Sequence, residues 1–309
     1  MKRIPIILFF LVLAPAASAQ RSIDEVLRQV ENASRELEAQ RQLTAAQKQD
    51  AATGKYMANP TVEMEKMWGA AGAGQNTELA VVQTIDFPTV YGSRNRIAKL
   101  KGSLYEKQWE SQRQQLLLQA KQLCIEIVYL YRQRDLLDER LSNAERLSEA
   151  YRRKMETGDA TSLEANKIAV ESISARTAAD LNRAELQAKI QQLNTMTGDS
   201  DDSFEDVTYP PVETLPPADV LSEAYMSGNP LLESMENTLE IHRRTVALNR
   251  GLSLPQFEIG YRHDYGEGRA TGFKVGMSVP LFENKNKVKA AKAAAVSSQA
   301  QLESARTNA

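Results

Sequence analysis

Histidine and cysteine are almost missing from this sequence, and each shortage removes a class of chemistry. The two histidines, His242 and His263, belong to different stretches and have no cysteine or paired carboxylate at ligand spacing. No metal site is therefore expected, and both are expected at surface or lumen positions. The single cysteine, Cys124, lies beside Leu123 and Ile127 without a disulfide partner, and reads as a small buried hydrophobe. Aromatic residues make up only 6% of the chain, few for the core of a compact enzyme of this size. Ala, Gln, Glu, Lys, Leu and Arg dominate instead, as they do in coiled coils. Basic charge is not concentrated: the formal net charge of −2 becomes −4 without Lys2 and Arg3, which argues against a nucleic-acid partner. The glycine-rich run "GAAGAGQN" lacks the Lys-Ser/Thr ending of a phosphate loop and joins two strand patterns, so it reads as a hairpin loop facing the exterior. The sequence offers no catalytic constellation and no cofactor site.

What is present begins with "MKRIPIILFFLVLAPAASAQ". Two basic residues precede an apolar run of about ten, too short to span a bilayer as a helix, which takes about 20 residues. Ala17-Ser18-Ala19 supplies the small residues a signal peptidase reads, so residues 1–19 are expected to be a cleaved signal peptide and Gln20 the first mature residue. No cysteine follows the apolar run, which closes the lipoprotein route.

The pattern from Ser22 to about Gly54 is helical, opened by Ser22 and Glu25 at capping-box spacing. A β-hairpin over 60–87 follows, with strands "PTVEMEKMW" and "ELAVVQTIDF". In the second strand Leu79, Val81, Ile85 and Phe87 alternate with Ala80, Thr84 and Asp86. After Pro88 the alternation stops, and about sixty residues pass with almost no glycine and no proline. The spacing predicts a helix from about Ser93 to Glu156, on the order of 90 Å long at 1.5 Å per residue. Its seam is Leu116, Ala120, Leu123, Ile127, Leu130, Leu137, Leu141, Ala144, Tyr151 and Met155, interrupted by Arg134 and Ser148. "ETGDATS" then breaks the helix, with Gly158 as C-cap and Asp159, Thr161 or Ser162 as the next N-cap. A return helix to about 196 carries Ala165, Ile168, Ser172, Ala175, Ala179, Leu186, Ile190 and Leu193 on one seam.

A Pro- and acid-rich linker, 198–217, separates this unit, 20–197, from a second that starts the same order again over 218–309. Glu25-Val26-Leu27 corresponds to Asp219-Val220-Leu221, Pro60-Thr61-Val62-Glu63 to Pro255-Gln256-Phe257-Glu258, and Asn95-Arg96-Ile97 to Asn286-Lys287-Val288, an internal repeat of about 194 residues. The second hairpin, 255–281, presents Phe273, Val275, Met277, Val279 and Leu281 on one face and Lys274, Gly276 and Ser278 on the other. Pro60, Pro88, Pro255 and Pro280 are read as marking the strand–helix junctions, because proline neither donates to a ladder nor continues a helix.

Strands of nine to eleven residues with one apolar face have the length of tilted bilayer-crossing strands, about 9–11 residues. Leu79, Val81, Phe273, Val275 and Met277 are expected to face lipid. Four strands cannot close a barrel, and open edges in lipid leave backbone groups unsatisfied, so the strands must close with those of other copies.

In this order, the repeated strand-Pro-helix units at Pro60, Pro88, Pro255 and Pro280, the "TGDATSLEANK" turn and the Pro-rich linker resemble the outer-membrane efflux protein family, the TolC-like channels. Among these the likeness is greatest to the CzcC-like members of cation-efflux systems. The resemblance covers about 22 to 309. It implies a mainly α fold with a membrane β part: long antiparallel helical hairpins, and two β-hairpins per chain joining a twelve-stranded barrel in a homotrimer. It further implies a Gram-negative outer membrane with a periplasmic extension, a periplasmic adaptor and an inner-membrane pump of the RND type as partners, and a passive duct rather than an enzyme. Adaptor contact is carried over to the helical turn, onto Gly158, Asp159, Ala160, Thr161, Ser162 and Leu163, with Leu163 as apolar anchor. A periplasmic adaptor would carry one helical hairpin flanked by soluble β-domains. A structural coiled-coil envelope protein would have no use for two apolar-faced strand pairs. By the repeat, Ala309 corresponds to Leu118 while the first unit runs to about Met196, so the second unit is expected to lack about 78 residues, among them half of the turn region.

Overall fold

The computed structural model describes residues 22–68, 75–198, 209, 214–265, 269–282 and 284–308. The expected signal peptide, residues 69–74 of the first hairpin loop and most of the expected linker lie outside them. Among the described residues there are seven helices and four strands, in two compact units, 1–34 with 117–212 and 35–116 with 213–309. The order is α1 (Ile23–Ala33), α2 (Arg35–Thr53), β1 (Thr61–Trp68), β2 (Gln75–Ile85), α3 (Pro88–Thr157), α4 (Ser162–Thr197), α5 (Ala218–Gly228), α6 (Pro230–Gly251), β3 (Gln256–Asp264), β4 (Thr271–Ser278) and α7 (Lys287–Thr307).

The first unit is a helical hairpin of the later part of α3 and α4, joined by contacts such as Arg140–Glu171 and Lys189–Glu126, with α1 against α4. Ser22 caps α1, its Oγ accepting from the Glu25 amide at 3.2 Å, and Ile23, Val26 and Val30 are buried on one stripe. The expected single helix to Gly54 is in fact two. Ser34 leaves the helical region with ψ 114° while its amide still donates to Val30 O, and the apolar spacing runs on across the break, which hides it from a periodicity argument. In the hairpin, Ala120, Leu123, Ile127 and Leu130 of α3 are buried, as are Ala175, Ala179, Leu186 and Leu193 of α4. Cys124 is fully buried there, and desolvation pushes its thiol up to about 11. The α4 seam also buries Asn182, whose Nδ2 donates to Gln133 Oε1 at 2.9 Å. Exposed pairs such as Arg140–Glu171 and Arg176–Glu145, both 2.6 Å, line the rim, where solvent screening leaves such pairs weak.

The second unit holds an antiparallel sheet of order β1-β2-β3-β4. β2 and β3 pair at the centre, with Val81 opposite Tyr261 and Ile85 opposite Phe257, and β1 and β4 are the edges. Helices α6 and α7 pack through Leu232, Leu239 and Leu302. His242, expected at the surface or in a lumen, is half-buried between them, its Nδ1 2.5 Å from Ser298 Oγ. Gly251 closes α6 where a Cβ would meet Val90 Cγ2 at 3.0 Å, so this glycine lets α6 approach the first turn of α3.

Helix α3 starts at Pro88, five residues before the expected Ser93, because proline suits the first helical position, where no amide partner is needed. The corner before it is clamped by Asp86. Its carboxylate takes Arg94 Nη1 at 2.7 Å and Gln256 Nε2 at 2.7 Å, and its amide donates to Tyr91 Oη at 2.8 Å. Strand β2 therefore stops at Ile85 rather than Phe87: the Asp86 amide is committed to the corner instead of the ladder. At its other end β2 reaches Gln75, beyond the expected Glu78, because Asn76 and Thr77 keep register with Met67 and Lys66.

Candidate functional site

The site residues expected from the sequence fall on two features, the sheet and the helical turn, one in each unit. The register divides the sheet into two chemically different faces. Pairing Val62 with Val81, Tyr261 with Val81 and Phe273 with Tyr261 places them in one row on one side. Continued along the strands, that side carries Val62, Met64, Leu79, Val81, Ile85, Phe257, Ile259, Tyr261, Phe273, Val275 and Met277. Most are open to their surroundings; Phe273 is 87% exposed, Val275 78% and Met64 72%. Gln83, a polar side chain on this side, is satisfied by the Ala58 and Thr84 carbonyls at 2.8 and 2.9 Å. The other side carries Glu63, Glu65, Glu78, Glu258 and Asp264 with Arg262 and Lys274. Arg262 pairs with Glu78 at 2.7 Å.

Leu79, Val81, Phe273, Val275 and Met277 thus all lie on the apolar side, Leu79 half-buried and the others exposed. The strands have 8, 11, 9 and 8 residues, so β1 and β4 are shorter than the expected nine. At about 3.3 Å per residue and a tilt of about 40°, β2 rises about 28 Å, near the ~25 Å apolar band of outer-membrane barrels. Pro60 and Pro255 stand just before β1 and β3, and Pro88 opens α3. Pro280 ends β4 by two residues but is followed by residues 281–286 before α7, so it marks a strand end rather than a direct strand–helix junction. His263 is half-buried on the apolar side, its ring 4.3 Å from that of Tyr265.

The turn between α3 and α4 is built by two capping devices. Gly158 takes φ +83°, a left-handed conformation that glycine adopts without strain. The Asp159 amide donates to Lys154 O at 2.8 Å and the Gly158 amide to Met155 O at 3.2 Å, the bond pair of a Schellman cap. Of the three N-cap candidates the structure uses Thr161: its Oγ1 accepts from the Glu164 amide at 3.3 Å, and Glu164 Oε2 accepts from the Thr161 amide at 2.9 Å. That hydrogen bond from the Thr161 amide holds the Glu164 carboxyl below its usual range. Asp159 takes the Thr157 hydroxyl at 2.8 Å instead. Ala160 is half-buried, Ser162 begins α4, and Leu163 points outward, 78% exposed.

Among the described residues no group of three or more His, Cys, Asp or Glu could hold a metal ion, and no helix is long and apolar enough to cross a membrane. Comparison with known proteins turns on the fold. The CmeC outer membrane channel of Campylobacter jejuni superposes with a TM-score of 0.74 at 14% identity, over 93% of this chain and 68% of that one. The outer membrane protein VceC of Vibrio cholerae gives 0.73 at 11% identity, over 93% and 75%. A membrane protein from Pseudomonas aeruginosa gives 0.74 at 16%, over 93% and 74%.

The fold is that of outer-membrane channels. No family model and no curated protein matches the sequence, so the channel fold is carried by structure alone. Within it, the mainly helical chain with one four-stranded antiparallel sheet agrees with the fold expected from the sequence. Sequence reasoning missed the Asp86 clamp, the Asn182–Gln133 contact and the Thr161–Glu164 box. Only the last had a usable signal, the Thr-x-x-Glu spacing.

Proposed function

We propose that this protein is the outer-membrane channel of a tripartite efflux system: a homotrimer in which three four-stranded sheets close one barrel and the helices form a periplasmic duct. The observation that carries the reading is the apolar side of the sheet. Eleven apolar side chains on four adjoining strands are too extensive for a surface in water, and β1 and β4 each leave a ladder edge that a neighbouring copy can complete. The channel fold supports the same reading. Export through a signal peptide cleaved before Gln20, and a repeat of about 194 residues with boundaries near 20–197 and 218–309, belong to the proposal.

The exposed turn from Gly158 to Leu163 is the proposed contact for the periplasmic adaptor, with Leu163 as its apolar anchor. An RND-type pump would deliver the substrate, and the CzcC-like subtype would put metal cations among the substrates. Fractionation to the outer membrane together with heat-modified migration on a denaturing gel tests the channel; a chain found only in the soluble periplasm refutes it. For the turn, Thr161→Cys in a Cys124→Ser background should cross-link to the co-expressed adaptor. A Ser142→Cys control in the middle of α3 should not, and equal adducts at both positions would remove the assignment.

A further inference from the structure

Within the four strands, the apolar side carries one basic residue, Lys66, while Arg269 follows in the loop just before β4. Lys66 stands in a row with Thr77 and Tyr265, since Lys66 pairs with Thr77 and the Tyr265 amide donates to Thr77 O at 2.8 Å. Among the described strand residues no carboxylate lies on that side; Glu63, Glu65, Glu78, Glu258 and Asp264 all point to the other. Trp68, one step further toward the loop end and 70% exposed, has its ring centroid 5.7 Å from Lys66 Nζ. The next row, Met64, Leu79, His263 and Thr271, is mixed, and the rows beyond it are apolar except for Gln83. The composition therefore shifts toward the loop end, from apolar rows through His263 and Thr271 to an ammonium, a hydroxyl, a phenol and an indole. Indole and phenol rings favour the level of lipid headgroups, and an exposed ammonium beside them attracts an anion at that level.

We propose that Lys66, flanked by Trp68 and by the hydroxyls of Thr77 and Tyr265, holds the phosphate of an anionic lipid headgroup at the loop-end rim of the membrane band. The site rests on the membrane reading of the sheet given above. It deepens that reading by naming the lipid chemistry the barrel surface selects. Lys66 acts as a point charge that an arginine can replace and a glutamine cannot, whereas Lys274, on the opposite side of the sheet, takes no part.

The test inserts the chain into vesicles of phosphatidylcholine alone and of phosphatidylcholine mixed with phosphatidylglycerol, with lipid retained per chain measured by native mass spectrometry. The wild type, Lys66→Arg and Lys274→Gln should retain phosphatidylglycerol in preference by about fivefold, the size expected of one basic side chain at a membrane surface. Lys66→Gln should lose the preference while still inserting into both vesicles. Retention of the preference in Lys66→Gln, or an equal loss in Lys274→Gln, would overturn the site and leave the channel reading standing. A chain that enters neither vesicle overturns the membrane reading and the site with it.

Discussion

Replacing Asp86 with alanine should be among the most costly single changes in the second unit. The side chains of Asp86 and Arg94 are only 14% and 27% exposed, and the pair closes at 2.7 Å. Removing the carboxylate strands a half-buried guanidinium and the Gln256 amide, which donates to the same group at 2.7 Å. Hydrogen bonds to a charged group contribute about 1.5–3 kcal/mol each, and breaking a fully buried pair costs about 3–5 kcal/mol. Arg94 keeps part of its hydration, so we expect about 2–4 kcal/mol for Asp86→Ala. Asp86→Asn, which retains an acceptor for Gln256, should cost about half of that. The contrast is Glu171→Ala, which breaks an equally short pair whose partners are both 56% exposed and should cost about 0–1 kcal/mol. Urea unfolding followed by tryptophan fluorescence, in a Trp109→Phe background so that Trp68 reports on the sheet, measures the first two; helicity measures the third. Equal losses for Asp86→Ala and Glu171→Ala would refute the claim that burial at the corner sets the value of the pair.

Three further outcomes follow from the geometry. Val275→Arg should impair membrane insertion by about 2–4 kcal/mol if it lies near the midplane, while Ser278→Arg on the opposite side should be mild; a vesicle partition assay compares them. Thr161→Ala should destabilise the start of α4 by about 1 kcal/mol, seen as faster hydrogen exchange at the Glu164 amide with little change at Ala179. Glu149, held down to about 2 from its ordinary 4.5 by the hydrogen bond from Arg152 and then that from Arg153, should contribute stability fully above its ordinary value and lose it as the pH falls from there through about 2. A carboxylate titration by NMR checks the value, and Glu149→Gln should flatten the acid limb of the helicity curve.

Much of this architecture is legible in the sequence, because the period of the apolar residues changes where the structure changes. The seam from Leu116 to Met155 and the alternation through Phe273, Val275 and Met277 are long, and repetition makes such patterns robust. Features that depend on a single residue were not readable in the same way. Ser34 breaks a helix without disturbing the apolar spacing on either side of it. Asp86 looks like one more polar residue of an alternating strand, and its partner Gln256 lies 170 positions away, beyond any local pattern. Asn182 occupies a seam position that the apolar pattern leaves vacant, and its contacts with Gln133 Oε1 and the Leu130 carbonyl account for a polar residue there. The turn lay between, with its location fixed by Gly158 but its cap decided among three candidates by hydrogen-bond geometry alone.

The β2–β3 seam sets the order in which the sheet can form. Each hairpin joins neighbours in the chain, but the central ladder joins Val81 to Tyr261, 180 positions apart, and closure of so long a loop must precede any gain from pairing. The two hairpins should therefore form first and meet late. In the interval each presents an uncovered apolar side and two open ladder edges to its surroundings, a combination that invites aggregation. The folding yield of such a chain should therefore fall more steeply with concentration than its stability would suggest.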